Sequence, residues 1–160
     1  MDILVIRHAK SSHDPEWTSD LDRPLTKKGR KRQLAMSREM AEHGISIDQI
    51  WVSPAARSKQ TGDIIGLVLG VEASIVEVPD IYYSQSHEML VSRLEQELAS
   101  NPSGTIAIVG HDPVVSQLAC FLTNGQCSGL KTSEGVWVRR DDQGYVLVKA
   151  FTRAGVEKTP

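Results

Sequence analysis

Ile3-Leu4-Val5-Ile6-Arg7-His8 is the stretch that decides how the rest of the chain is read. Its four apolar residues, rich in β-branched side chains, read as a strand buried on both faces, as a parallel sheet requires. A guanidinium and an imidazole follow at once, and neither can sit in a core unpaired. They must face a polar crevice. In open α/β sheets ligands bind beyond the carboxyl ends of the strands.

Two further places repeat the pattern. Ile50-Trp51-Val52 leads into Ser53-Pro54-Ala55-Ala56-Arg57, and Ile106-Ala107-Ile108-Val109 leads into Gly110-His111-Asp112-Pro113. Each apolar run ends in a helix start signal, Ser53 or Asp112 as N-cap with proline next. Helix N-termini favour anions. A parallel sheet brings Arg7, His8, Arg57 and His111 to one edge, and the ligand that suits them is a dianionic phosphate.

The 160 residues predict one domain, 1–160, with 40% hydrophobic and 24% charged residues and a net charge of −2. That balance offers no general attraction to nucleic acid or to an anionic membrane. No apolar run approaches the roughly 18 residues of a membrane span. No signal peptide is expected at the N-terminus. Cys120 and Cys127 form no disulfide framework, and Cys120 reads as a small core residue. A cytoplasmic location follows as the expectation.

The remaining elements follow from periodicity. Lys10 to Pro24 reads as a loop. A helix is predicted from about Thr26 to His43, with an apolar stripe at Leu34, Met36, Met40 and Ala41 and a stop at Gly44. A strand at Gln49 to Val52 precedes a helix from Pro54 to about Leu69. Ser74 to Val78 reads as a strand, and Leu90, Val91, Leu94 and Leu98 have helical spacing. After the strand at Thr105 to Val109, Val114, Val115, Leu118, Ala119 and Leu122 fit another helix. Gly135 to Arg140 and Tyr145 to Phe151 read as a hairpin with a loop of about four residues. This order predicts a three-layer α/β/α sandwich with a mostly parallel mixed sheet.

The chemistry comes from the joint occurrence. Two arginines can hold phosphate oxygens through forked, charge-assisted bonds. A neutral imidazole can attack phosphorus and carry the phosphoryl group. A second histidine, if protonated, can bond the equatorial oxygens. Phosphoryl transfer needs mostly positioning and charge stabilisation, so no metal or other cofactor is required by this set. Taken singly, each residue has an ordinary structural reading: a charged loop entrance, a helix cap, a solvated arginine, a loop histidine.

Arg7-His8-Ala9, Pro24-Leu25-Thr26 with Gly29, the run Ser53 to Thr61, and Gly110-His111 together resemble the histidine phosphatase superfamily. The resemblance implies a phosphoglycerate mutase-like fold. It implies His8 as the nucleophile that becomes phosphohistidine, with Arg7, Arg57, His111 and Ser53 around the phosphate. Within the superfamily, Arg7-His8-Ala9-Lys10-Ser11-Ser12 and Asp22-Arg23-Pro24-Leu25-Thr26 are similar to the short bacterial SixA-type phosphohistidine phosphatases. The substrate so implied is a phosphorylated protein, such as a phosphorelay domain or phosphocarrier. A phosphomonoesterase for a small phosphate ester and a non-catalytic phosphate-binding module are the alternatives. A metallohydrolase built on His8, His111 and Asp112 lacks the usual ligand spacings.

One departure bears on the substrate. Ester-cleaving relatives place a glutamate after the third strand, where this chain has Ile81-Tyr82-Tyr83. An alkoxide leaving group needs a proton, worth about 10²–10⁴-fold. A phosphohistidine ring can leave already protonated. Asp112 and Glu88 are the possible proton donors, each with an ordinary helix-start reading beside it. The basic run Lys27 to Arg32 reads as a solvated face or as a dock for an acidic phosphoprotein.

Overall fold

A computed structural model describes residues 1–70, 73–84 and 86–157; the last three residues of the expected 1–160 domain lie outside it. The strands are β1 (Asp2–Arg7), β2 (Gln49–Val52), β3 (Ser74–Glu77), β4 (Thr105–Gly110), β5 (Gly135–Asp141) and β6 (Gly144–Phe151). The helices are α1 (Lys27–Glu42), α2 (Ala56–Leu69), α3 (Asp80–Tyr83), α4 (Glu88–Ser100), α5 (Val114–Leu122) and α6 (Arg153–Glu157). The strands form one sheet in the order β3-β2-β4-β1-β5-β6. The first four of these run parallel, and β5 is antiparallel to both β1 and β6.

Alternation along β1 builds the three layers. Ile3 and Val5 join Leu90 and Leu94 of α4 and Leu118 of α5 on one face. Leu4 and Ile6 join Met36 and Met40 of α1 and Ile65 and Leu69 of α2 on the other. All four β1 residues are fully buried, and each such side chain contributes roughly 1.5–3 kcal/mol. The mostly parallel mixed sheet read from the sequence is therefore the one observed.

The differences have local causes. The α2 helix begins at Ala56, two residues after the expected start, and Ala55 is its N-cap. The Ser53 hydroxyl is engaged with His111. The N-cap of α5 is Pro113 in place of Asp112, whose carboxylate goes to Arg7 and Ser116. The hairpin turns on Asp142-Gln143 alone, because Asp141 pairs with Gly144. Gly144 sits at φ +123, where a residue with a Cβ is strained. Cys120 is half-buried, so it is not the core residue expected. The α3 and α6 helices span too few residues to show a period.

The Lys10 to Pro24 segment is tied at its base. Ser12 donates to the Pro24 carbonyl (2.8 Å), Thr26 donates to the Lys10 carbonyl (2.9 Å), and Ser11 bridges Leu25. The Thr26 side chain caps α1 by accepting from the Gly29 amide (2.9 Å). Gly29 packs on the Lys10 main chain so closely that a Cβ would collide with the Lys10 carbonyl oxygen. The basic run starts here: Lys27, Lys28, Arg30 and Lys31 are exposed. The Gly29→Ala variant is expected to lose about 2 kcal/mol of stability. Equilibrium denaturation checks this; an unchanged midpoint contradicts the close approach.

Candidate active site

Register brings the predicted residues together. Arg7 of β1 pairs with Gly110 of β4, and Val52 of β2 pairs with Val109. One step further along, His8, His111 and Ser53 emerge at the same edge. The His8 amide donates to the Gly110 carbonyl (3.0 Å), which keeps the two strand exits together. The rings of His8 and His111 lie 5.1 Å apart, centroid to centroid. Arg57 arrives on the first turn of α2, which Ser58 fastens in place. Its buried hydroxyl accepts from the Ser53 amide (3.0 Å) and donates to the Val109 carbonyl (2.9 Å).

Arg7, His8, Lys10, Arg23, Arg57, His111 and Asp112 are among the residues lining a cleft of about 250 Å³. The His8 Nδ1 sits 2.7 Å from the Ala9 carbonyl oxygen. A carbonyl only accepts, so Nδ1 carries the proton and Nε2 keeps its lone pair. Burial pushes the His8 pKa down to about 4, with Arg57 and Arg7 adding to the effect and the Ala9 carbonyl opposing it. His8 is therefore a neutral nucleophile-type imidazole at pH 7. Ala9 is itself held, its amide donating to the Thr61 hydroxyl (3.0 Å) of α2.

Ser53 is fully buried and is not among the residues that line the cleft. Its hydroxyl lies 2.5 Å from His111 Nε2 and accepts from the Ala55 amide (3.3 Å). A hydroxyl that accepts from an amide can donate to Nε2, which leaves the proton of His111 on Nδ1. That Nδ1 is buried without a partner, as are Arg7 Nε and Arg57 Nε. An oxyanion in the cleft would satisfy such donors. Burial lowers the His111 pKa to about 3, helped by His8 and Arg57. The protonated His111 considered from the sequence is thus a neutral ring in the free protein.

Arg57, only 6% exposed, gives both terminal nitrogens to a residue the sequence reading passed over. Nη1 donates to the Asp20 carbonyl (2.7 Å) and Nη2 to Asp20 Oδ2 (2.9 Å). Arg23 grips the other oxygen, Oδ1, through Nε and Nη2 (3.1 and 3.0 Å). The Tyr82 hydroxyl donates to Oδ2 (2.6 Å), and its ring stands edge-on to His111. Together these donors hold the Asp20 carboxyl well below the usual carboxylate range. The motif Asp22-Arg23-Pro24-Leu25-Thr26 was the available signal for Arg23. Nothing local marks Asp20, and Tyr82 enters the sequence reading only as part of the stretch Ile81-Tyr82-Tyr83 that lacks a carboxylate.

The two possible acids are placed differently. Asp112 lines the cleft, with Oδ2 3.3 Å from Arg7 Nη1, and Oδ1 accepts from the Ser116 hydroxyl (2.5 Å). Glu88 is exposed on the first turn of α4 and is not among the cleft residues. Among the described residues no group of His, Cys, Asp and Glu is placed to hold a metal ion. No described helix is long and apolar enough to cross a membrane.

Known proteins resemble this chain in sequence and in fold. Residues 3–80 match the family model of the histidine phosphatase superfamily (branch 1). Over 136 residues the chain is 26% identical to the phosphohistidine phosphatase SixA of Escherichia coli (strain K12), covering 85% of this chain and 83% of that protein. The solved structure of the protein histidine phosphatase SixA complexed with tungstate superposes with a TM-score of 0.82 at 24% identity, over 98% of this chain and 99% of the other. The phosphoglycerate mutase of Bacillus anthracis shares the fold at a TM-score of 0.76 and 12% identity, over 99% and 96% of the two chains.

The two lowered histidines give a pH signature. An unfolded histidine titrates near pH 6.5. The unfolded chain therefore binds more protons than the folded one from about pH 6.5 down to about 4 at His8 and about 3 at His111. The stability these rings contribute is complete above pH 6.5 and falls as the pH drops through that window. Ring ¹⁵N shifts of His8 and His111 are expected to remain those of neutral imidazole at pH 6. A ring half-protonated at that pH contradicts the assignment.

Proposed function

The chain belongs to the histidine phosphatase superfamily, and from that premise we propose that it is a phosphohistidine phosphatase acting through a covalent phospho-His8. His8 Nε2 attacks phosphorus while Arg7, Arg57 and the Nδ1–H of His111 hold the oxygens. The P–N bond breaks with its electron pair going to the substrate ring. That ring leaves as neutral imidazole when its other nitrogen already carries a proton. Water then attacks phospho-His8 and releases phosphate. His8 returns to the neutral tautomer with its proton still on Nδ1 and donated to the Ala9 carbonyl, so the second step asks no protein acid for a proton.

The observation that carries the P–N reading is the state of the carboxylates. Asp112 and Asp20, the ones that touch the cleft or its arginines, are each ion-paired to arginine. Tyr82 occupies the stretch where ester-cleaving relatives carry their acid. A poor alkoxide leaving group therefore finds no ready proton, whereas a phosphorylated imidazole needs none. The tungstate complex of the SixA relative agrees with an oxyanion as the ligand type. The physiological substrate in this reading is a phosphorylated protein.

Asp112 supports a second reading. Its side chain is 37% exposed at the cleft, and it could serve a small phosphomonoester if its pairing with Arg7 opened. Single-turnover assays on a phosphohistidine protein and on unactivated phosphomonoesters separate the two. The expected result is turnover of the P–N substrate at least about 10²-fold faster, the lower end of what a missing acid costs. Equal rates reverse the choice. The His8→Ala variant is expected to fold and to lose turnover, and acid-labile phosphate should be trapped on His8 of the active protein. Full activity in that variant ends the proposal.

A further inference from the structure

The Asp20 carboxylate is not itself among the residues lining the cleft, but it sits on two arginines that are. It spans two guanidinium groups that an incoming phosphoryl group would use, taking Nη2 of Arg57 on one oxygen and Nε and Nη2 of Arg23 on the other. Arg7 is matched in the same way by Asp112. The cations of the cleft thus meet a ligand already partly neutralised. Asp20 is also braced from the side of α3. The approach of Ile81 to Gly110, where a Cβ would stand 2.5 Å from Ile81 Cγ2, seats α3 against the end of β4. The next residue, Tyr82, then brings its hydroxyl to Oδ2 and its ring edge to His111.

We infer that Asp20 is the charge-setting, specificity-determining residue of this cleft, favouring a phosphoryl group carried on a protonated ring over free phosphate or a dianionic ester. The inference rests on the P–N reading above and extends it to a residue outside the nucleophile and its phosphate clamp. The physical argument is one of opposites. A carboxylic acid poised to donate a proton assists an alkoxide. A carboxylate saturated by two arginines and a tyrosine stays ionised and donates nothing. It repels a dianion, and it attracts the positive charge that a phosphorylated and protonated imidazole ring carries before the P–N bond breaks. Tyr82 fixes this anion beside His111, within the same stretch where ester-cleaving relatives hold their acid.

The Asp20→Asn variant keeps the side-chain shape and removes the charge. Inorganic phosphate binding, measured by calorimetry at fixed ionic strength, is expected to tighten by about tenfold, the order expected for one unit charge near a partly exposed site. The ratio of kcat/KM for a phosphohistidine peptide to that for an aryl phosphate is expected to fall by about tenfold. The smaller Asp20→Ser variant should move both quantities in the same direction, which separates charge from any effect of the amide. Phosphate binding that is unchanged or weaker in both variants overturns the inference, because a residue that only positions arginines would weaken it. An unchanged ratio overturns it as well. If the unaltered protein fails on the phosphohistidine peptide, the P–N reading itself fails, and this is seen before any variant is made.

Discussion

The parallel pairing of β1 with β4, from Asp2↔Thr105 through Arg7↔Gly110, is the constraint on which the site depends. Two strands separated by about a hundred residues of chain end level with each other, so their next residues, His8 and His111, become neighbours. A slip of one residue would send every side chain of β1 to the opposite face. Ile3 and Val5 would then meet α1 and α2, and Leu4 and Ile6 would meet α4 and α5. The core on both faces fixes the register, and the register fixes the distance between the two imidazoles. Packing and chemistry are here the same requirement.

Much of this was legible because parallel strands state themselves plainly. The runs at residues 3–6, 50–52 and 106–109 are short, apolar and followed by polar turns, and each became a strand. Arg7, His8, Arg57 and His111 could be named in advance because strand ends in such a sheet share an edge. The caps were read less well. Ser53 and Asp112 stand where an N-cap is expected, but each found a stronger partner in three dimensions, His111 for one and Arg7 for the other. Asp20 and Tyr82 were out of reach for another reason. Their meeting depends on a loop folding over the sheet edge and on a single-turn helix, and neither has a period that a sequence can display.

Electrostatically the cleft is a balance in which neutral and charged groups are kept apart by burial. The histidines are pushed to neutrality by desolvation and by neighbouring guanidinium groups. The arginines are kept from repelling one another by the carboxylates of Asp20 and Asp112. Each group therefore holds its protonation state because of the others, and the set functions as a unit. The same arrangement ties the Lys10 to Pro24 segment to the chemistry, since Arg23 and Asp20 both belong to it.

Ala9 contributes to this site through its main chain alone. Its carbonyl accepts from the Nδ1–H of His8 and its amide is held by Thr61, while its methyl group is fully buried. No side-chain truncation can delete those two functions, because the atoms that perform them are common to every residue except proline, which lacks the amide hydrogen. A scan that replaces side chains one at a time would thus record position 9 as silent for small residues and sensitive only to bulk. The tautomer of the nucleophile is in this sense protected from most single-residue changes at the position that sets it. Its vulnerability lies instead at Thr61, a position distant in sequence, where a change would act through the backbone.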